Sequence, residues 1–444
     1  MKNIPILLII IICFFIPCFV RAATINVASC SQTDVQTAID AANNGDTILV
    51  PAGTCVWTTT RAGYAAITIP NTKGLVIKGA GADQTVIEDT TGTAWGEWLL
   101  KLNTGEGKSY RLTGMSFIRN IDSGSSNGAL IVVSGSSKNW RIDNCNVEHN
   151  TVSAGAAVGI SVEGYTYGVI DHCYLKRARV LVMDLGDSAW KRPLTLGTAN
   201  AVYIEDNQYD GYLNGTSILM NAVDANNGGR YVFRHNTLTG AYIEAHGSQW
   251  GRGTFSYEVY ENTIIDSPTV WTPFSFRGGT GVIFNNTALN FRSDASRINI
   301  FYDRSCGPAQ LACACDGSCS LDGNQDSSGW PCRDQLGRST DFSAASIHPQ
   351  ADEPAYEWNN TNYLAGVPID IDFLLNEYDC AQAALHMKSG RDYFNDTVRA
   401  NYQSYVYPHP FRTDCVSYPT LCDSVSEPPA DTTPPSAPTG ISVI

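Results

Sequence analysis

Positive charge is scarce in this sequence. Lys and Arg number 29 against 43 Asp and Glu, a formal balance of −14. That argues against nucleic acid as a partner, because phosphate binding needs a basic surface. It also weakens the case for a polyanionic sugar, although a local basic cleft can sit on an acidic protein. Long apolar runs are equally scarce: after one at the start, no segment is long and apolar enough to cross a bilayer. Histidine is rare, at seven residues. None falls inside the Cys-rich stretch from Cys306 to Cys332, which favours disulfides over zinc there.

The one apolar run extends from Ile4 to Val20, between Lys2 and Arg21-Ala22-Ala23. A basic start, an apolar stretch and small residues read as a secretory signal peptide cut after Ala22; an uncleaved membrane anchor is the alternative. Cleavage leaves 12 of 14 cysteines and 27 basic against 43 acidic side chains, a balance of −16. An even cysteine count in an oxidising compartment points to disulfides. A secreted or cell-surface monomer without a membrane span is expected.

Six segments stack by eye. They are Trp140–Cys145, Gly168–Cys173, Val202–Asn207, Tyr231–Asn236, Glu258–Asn262 and Gly281–Asn286, whose last positions fall 28, 34, 29, 26 and 24 residues apart. Weaker copies precede them at Gly74–Gly79 and Tyr110–Met115. Each alternates apolar and polar residues, the period of a strand, then places Cys or Asn at one fixed point. Strand–turn–strand units at such spacing predict an all-β solenoid, a right-handed parallel β-helix whose coils carry one variable loop. Asn207, Asn236, Asn262 and Asn286 would form a ladder of side-chain amides that bonds the backbone at a sharp bend. Cys145 and Cys173 hold the same point in earlier coils. Strands about 4.8 Å apart would allow a disulfide between them, or a stacked pair of buried thiols.

Val35, Ala38, Ile39 and Ala42 recur at helical spacing, so a short amphipathic helix is expected to cap the first coil, with Cys30 and Cys55 clamping it. The string Val35-Gln-Thr-Ala-Ile-Asp-Ala-Ala-Asn-Asn-Gly-Asp-Thr-Ile-Leu-Val-Pro-Ala-Gly53, followed by Val76-Ile-Lys-Gly-Ala-Gly81, resembles the opening of pectate-lyase-like β-helix proteins. The resemblance spans roughly residues 24–305. It implies the fold, and with it a substrate groove along one sheet and its loops; that superfamily holds lyases, hydrolases, epimerases, adhesins and phage spikes, so it names no reaction.

The expected organisation is a signal peptide over 1–22, the β-helix over 23–305 and a Cys-rich cover over 306–425. Residues 426–444 form a Pro-rich linker leading into what resembles the first strand of a fibronectin type III module. Within the cover, Gly329–Arg338 and Tyr407–Arg412 resemble segments of uncharacterised secreted β-helix proteins.

The strand ends following each ladder position align as a row of Glu163, Asp184, Asn221, Glu244, Arg277 and Asp303, with His246, Arg252, Asp187, Asp224 and Arg304 just beyond. The richest coil runs Tyr242-Ile-Glu244-Ala-His246-Gly-Ser-Gln-Trp250-Gly-Arg252. It offers an imidazole, a carboxylate, a guanidinium and aromatic platforms at Trp250 and Tyr242. Lyase chemistry on a uronic acid needs a neutralised carboxylate, a base and a proton for the leaving oxygen. Arg277 or Arg252 would neutralise and His246 would be the base; alternatively Arg277 pairs with Glu244 across one coil. Hydrolysis needs two flanking carboxylates. Glu244 and Asp184, two coils or about 9.6 Å apart, would suit an inverting pair, with Asn221 and Asp184 also placed to bind substrate. Asp184, Asp187 and Asp224 together would allow a calcium ion. The Gly-bordered His246 faintly resembles the Arg-His-Gly segment of alginate-lyase and chondroitinase-B type enzymes. Ala245 stands where that group has Arg and no matching catalytic Lys is found, so no roles carry over. Two functions follow: an enzyme cleaving polysaccharide, lyase ahead of hydrolase, or a non-catalytic adhesin binding glycan along the same face. Polar residues gathered at one central coil favour the enzyme.

Overall fold

A computed structural model of the chain describes residues 22–58, 64–90, 98–120, 128–150, 157–213, 216–217, 220–248, 251–266, 270–295, 297–301, 333–342, 350–376 and 387–422. The expected signal peptide as far as Arg21, the whole Cys306–Cys332 stretch and the fibronectin-like end lie outside these residues.

The fold is the right-handed parallel β-helix. Three long sheets of twelve, ten and eleven strands run its length, and nearly every pairing is parallel between one coil and the next. One coil illustrates the order. Ile131–Gly135 lies in the ten-stranded front sheet, Asn139–Asp143 in the twelve-stranded back sheet and Asn146–His149 in the eleven-stranded side sheet. Alternation then decides which side chains enter the core: Ile131, Val133, Trp140, Ile142 and Val147 point inward, while Val132, Arg141 and Asp143, on the opposite face, are buried under other parts of the chain. Each apolar side chain so buried contributes roughly 1.5–3 kcal/mol relative to exposure.

The first coil is closed by the helix Gln32–Ala41. The Ser31 hydroxyl caps it by accepting from Asp34 N at 3.2 Å, and Val35, Ala38 and Ile39 face the core. The Cys30–Cys55 disulfide is present.

The asparagine ladder occupies the bend between back and side sheets. Asn236 Nδ2 donates to Arg234 O and Ile204 O and to Asn262 Oδ1, at 2.9, 2.9 and 3.1 Å. Asn207, Asn262 and Asn286 repeat the pattern. The residue before each rung turns the chain through the left-handed region, as at His172 (φ 50°), Asp206 (57°), His235 (55°) and Glu261 (58°). That accounts for both turn histidines without a catalytic role.

Cys145 and Cys173 are not joined; both are free, buried thiols. Their sulfurs turn to the same carbonyls that a ladder amide would take. Cys145 Sγ lies 3.3 Å from Asp143 O, and Cys173 Sγ lies 3.3 Å from Asp171 O. Each thiol thus stands in for an asparagine as donor, and strand spacing alone did not decide between bridge and thiol pair.

The coils were expected to stop at Ser305, and they do not. Ala355–Trp358, Thr361–Leu364 and Asp372–Asn376 add a further coil to the back, side and front sheets, with Asn360 as one more rung. The 74 residues from Asn286 to Asn360 hid the repeat.

The segment 399–422 then runs back over the outer face of the back sheet. Tyr402 Oη donates to Glu258, Arg234 donates to Tyr405 O and Val406 O, Arg141 to Leu421 O and Arg111 to Cys422 O. Beneath this strap Tyr203, Val232, Tyr260, Phe284 and Trp358 form a second apolar cluster with Phe411 and Leu421. The Cys415–Cys422 disulfide ties its end.

Where the last coil meets the strap, oxygens of Glu357, Asp372 and Asp396 lie within 4.8 Å of one another. Burial, with Asp372 and Asp396 beside it, pushes Glu357 up to about 7, against donated bonds from Asp396 N and Asn360. The native state therefore holds a proton that the unfolded chain releases near 4.5. The stability this contributes is full below pH 4.5 and is lost as pH rises to about 7. Thermal unfolding followed from pH 4.5 to 8 is expected to show a steeper fall for the native chain than for Glu357→Gln; parallel curves would contradict this.

Candidate active site

The front sheet places the candidate residues in register. Its strand Asn221–Asn226 pairs Leu181 with Asp224 on one side and Val223 with Ile243 on the other; the next strand, Tyr242–Ala245, pairs Glu244 with Ser275. Asp224 and Glu244 are therefore neighbours on adjacent coils, and His246 and Arg277 follow the ends of the next strands. Glu163 pairs with Met183, one residue short of Asp184, while Glu244 aligns with Asp224, three residues beyond Asn221, and with Ser275, two short of Arg277, so the expected row is out of register at each of these coils.

Four side chains converge. His246 Nδ1 lies 3.5 Å from Asp224 Oδ2 and 4.0 Å from Glu244 Oε1, and Arg277 Nη2 donates to Glu244 Oε1 at 2.5 Å. Asn221 Nδ2 donates to Glu244 Oε2 at 2.7 Å and Tyr242 Oη donates to the same oxygen at 3.2 Å. Glu244 is thus fully engaged as an acceptor and serves to hold Arg277. The Tyr242 ring is largely buried, which removes it as an open sugar platform. Arg179, at the start of the strand Arg179–Met183, reaches Asp224 Oδ2 at 3.6 Å and Asn221 Oδ1 at 3.5 Å. Arg179 was missed; alternation in Arg177-Ala-Arg179-Val was the available signal.

Burial opposes charge at both His246 and Asp224, yet each shifts toward its charged form. Asp224 and then Glu244 lift the imidazole above its ordinary 6.5, despite Arg277. His246, Arg179 and Arg277 hold the Asp224 carboxyl below its usual range. The His246 side chain remains 14 % exposed and Arg277 23 %. Asp224 stands on the Nδ1 side at ion-pair distance, and both ring nitrogens are buried without a hydrogen-bond partner among the described residues, so Nε2 is the nitrogen left to move a proton once a substrate reaches it.

Arg252 is elsewhere. It donates at 2.8 Å to Asp334, Asp341 and Asp187 and stacks 4.7 Å from Trp190, with 5 % exposure. So enclosed, it cannot meet a substrate carboxylate; it fastens the loop over 184–200 to the segment 333–342. Arg252→Met is expected to cost about 3–5 kcal/mol by removing the guanidinium from which the buried carboxylates of Asp334 and Asp341 both accept. Urea unfolding would check this, and a midpoint like that of the native chain would refute it.

Asp184, Asp187 and Asp224 do not come together. Asp184 pairs with Arg192, Asp187 with Arg252, and Asp224 with His246 and Arg179. Ligand atoms of Asp224, Glu244 and His246 do lie within 4.8 Å of one another. Calcium prefers an all-oxygen shell; here one of the three donors is a nitrogen, and Arg179 and Arg277 already pair with the two carboxylates, so the residues fit a calcium ion poorly. Asp184 also lies too far along its strand to pair with Glu244. Trp250, Asp303 and Arg304 lie outside the described residues.

No known family's sequence profile matches the chain, and no curated protein matches it. Similar solved structures include an alginate lyase from a Paenibacillus species, at 14% identity over 80% of this chain and 99% of that one, TM-score 0.37. A polysaccharide lyase from Pseudopedobacter saltans shares 11% over 63% and 65%, TM-score 0.34. A pectin methylesterase from Erwinia chrysanthemi shares 11% over 81% and 94%, TM-score 0.32. None of these transfers a residue role to this chain.

Proposed function

We propose that this protein is exported and cleaves a polysaccharide in a groove on the front sheet, by elimination at a uronic acid. The observation that carries the reading is the Asp224–His246 pair set beside the Glu244–Arg277 pair at the ends of adjacent coils. Arg277, held by Glu244 and partly exposed, meets the sugar carboxylate and stabilises the negative charge that builds as the neighbouring carbon loses its proton. His246 Nε2 takes that proton, and the imidazolium, supported by Asp224, returns it to the leaving oxygen. The Cys30–Cys55 and Cys415–Cys422 disulfides suit an oxidising compartment.

Hydrolysis is the second reading. Oxygens of Asp224 and Glu244 within 4.8 Å approach the spacing of about 5 Å used by retaining enzymes. The cations already bound to both carboxylates weigh against it.

The test is incubation of the purified chain with a panel of polysaccharides, with and without calcium, following ultraviolet absorbance of unsaturated ends and total reducing ends together. Rising absorbance supports elimination. Reducing ends alone would turn the assignment to hydrolysis by Asp224 and Glu244. Binding with neither signal would leave the adhesive function.

A further inference from the structure

The corner following the front sheet also carries an excess of positive charge. Lys138, Tyr165 and Arg192 come from three successive coils, after the strands Ile131–Gly135, Val158–Glu163 and Arg179–Met183. The Tyr165 ring has the Lys138 ammonium 4.1 Å from its centroid and the Arg192 guanidinium at 4.0 Å. Lys138 Nζ also donates to Tyr165 Oη at 2.8 Å. Behind them the buried Arg230 lies 3.9 Å over Phe255, and its donors go to the carbonyls of Pro193, Ala189 and Arg192 and to the Thr195 hydroxyl. Asp184, on Arg192, is the one carboxylate among the described residues that pairs with any of these three cations.

Aromatic faces and carbonyls can hold a cation in place, but they do not cancel its charge. The field of Lys138 and Arg230 is therefore left for a ligand, on a chain whose overall balance is −14. The arginine is also fixed in position. Its loop is stacked on the next coils through Gly186 N to Asn227 O and Trp190 Nε1 to Gly253 O, at 2.8 and 3.2 Å. Lys138 is exposed and Tyr165 partly so.

We infer that Lys138, Tyr165 and Arg192 form a binding subsite for an acidic sugar, on the same strand-end edge as His246. Counting coils at about 4.8 Å each, it lies two to four coils, or roughly 10–19 Å, from His246 along the axis. A chain in contact with His246 would reach it several sugars away. This rests on the polysaccharide reading above. The recognised group is an anionic oxygen cluster, either a uronate carboxylate or a sulfate ester.

Affinity electrophoresis of the full chain against polygalacturonate, dextran sulfate and unmodified dextran tests it and separates the two sources. The native chain should be retarded by one or both polyanions and not by dextran, less so as salt rises. Lys138→Glu should weaken that binding about tenfold or more, and Lys138→Arg should restore most of it. Equal retardation of Lys138→Glu and native protein, preference for dextran, or no retardation by either polyanion would each overturn the subsite. Binding that depends on Lys138 without any cleavage would sink the catalytic reading and leave the subsite standing; cleavage unaffected by Lys138→Glu would do the reverse.

Discussion

Replacing His246 by alanine is expected to abolish cleavage while leaving the fold intact. General acid–base catalysis by one positioned side chain contributes about 10²–10⁴ in rate, so kcat should fall by at least two orders of magnitude. His246 sits at a strand end with 14 % exposure and takes no part in the apolar core, so circular dichroism and the unfolding midpoint should change little. The companion variant, Asp224→Asn, separates catalysis from architecture. Asp224 is the strongest of the groups that raise the imidazole, so its neutral replacement should bring the imidazole pKa down. If His246 works as the base, the acidic limb of the kcat/KM profile must then shift to lower pH, because less alkali is needed to free the ring. A limb that stays put with rate reduced would show that His246 does not set it. Full activity in His246→Ala would remove the site from consideration.

The solenoid was legible because its signal is repeated: each rung asks for an amide at one point, and four asparagines answered at spacings of 29, 26 and 24 residues. The Cys145–Cys173 pair was legible as a register mark but not as chemistry, since a thiol and a disulfide need the same strand spacing. The register of the front sheet was misread at Asn221. The apolar stretch Ile218-Leu-Met220 looks like a strand that ends there; the strand instead begins at Asn221, with a register shift before Val223. That displacement moved Asp224 out of the loops and into line with Glu244. Arg252 was misjudged for a different reason. Its partners Asp334 and Asp341 lie 82 and 89 residues further on, and no local pattern announces a contact of that range.

The strap is the other feature that sequence reading could name only as a cover, and its removal should have the largest effect on stability. Deleting residues 402–422 would uncover Tyr203, Val232, Tyr260, Phe284 and Trp358, at roughly 1.5–3 kcal/mol for each side chain fully re-exposed. It would also strip partners from a line of buried charges. Arg412 reaches Glu205 at 2.8 Å and Asp171 at 3.5 Å and also pairs with Asp206, while His409 N donates to Glu205 at 3.0 Å. Without the strap Glu205 and Asp171 keep only the rung partners Arg234 and Arg141 and the partly exposed His172. Arg412→Met isolates this electrostatic part. It should cost about 3–5 kcal/mol, the usual penalty for breaking a buried ion pair from one side. The full deletion should lower Tm by more than about ten degrees or prevent soluble folding, given about one degree per kcal/mol in a chain of this size. Urea unfolding of native, Arg412→Met and deleted chains, read by tryptophan fluorescence, orders the three. A deletion that unfolds with the native midpoint would mean that the back sheet is stable without the strap, and that Tyr203 and Glu205 draw nothing from it. The same experiment bears on the groove: the strap crosses the back sheet, whereas Asp224, Glu244, His246 and Arg277 belong to the front sheet. Arg412→Met should therefore change the unfolding midpoint and leave kcat near the native value.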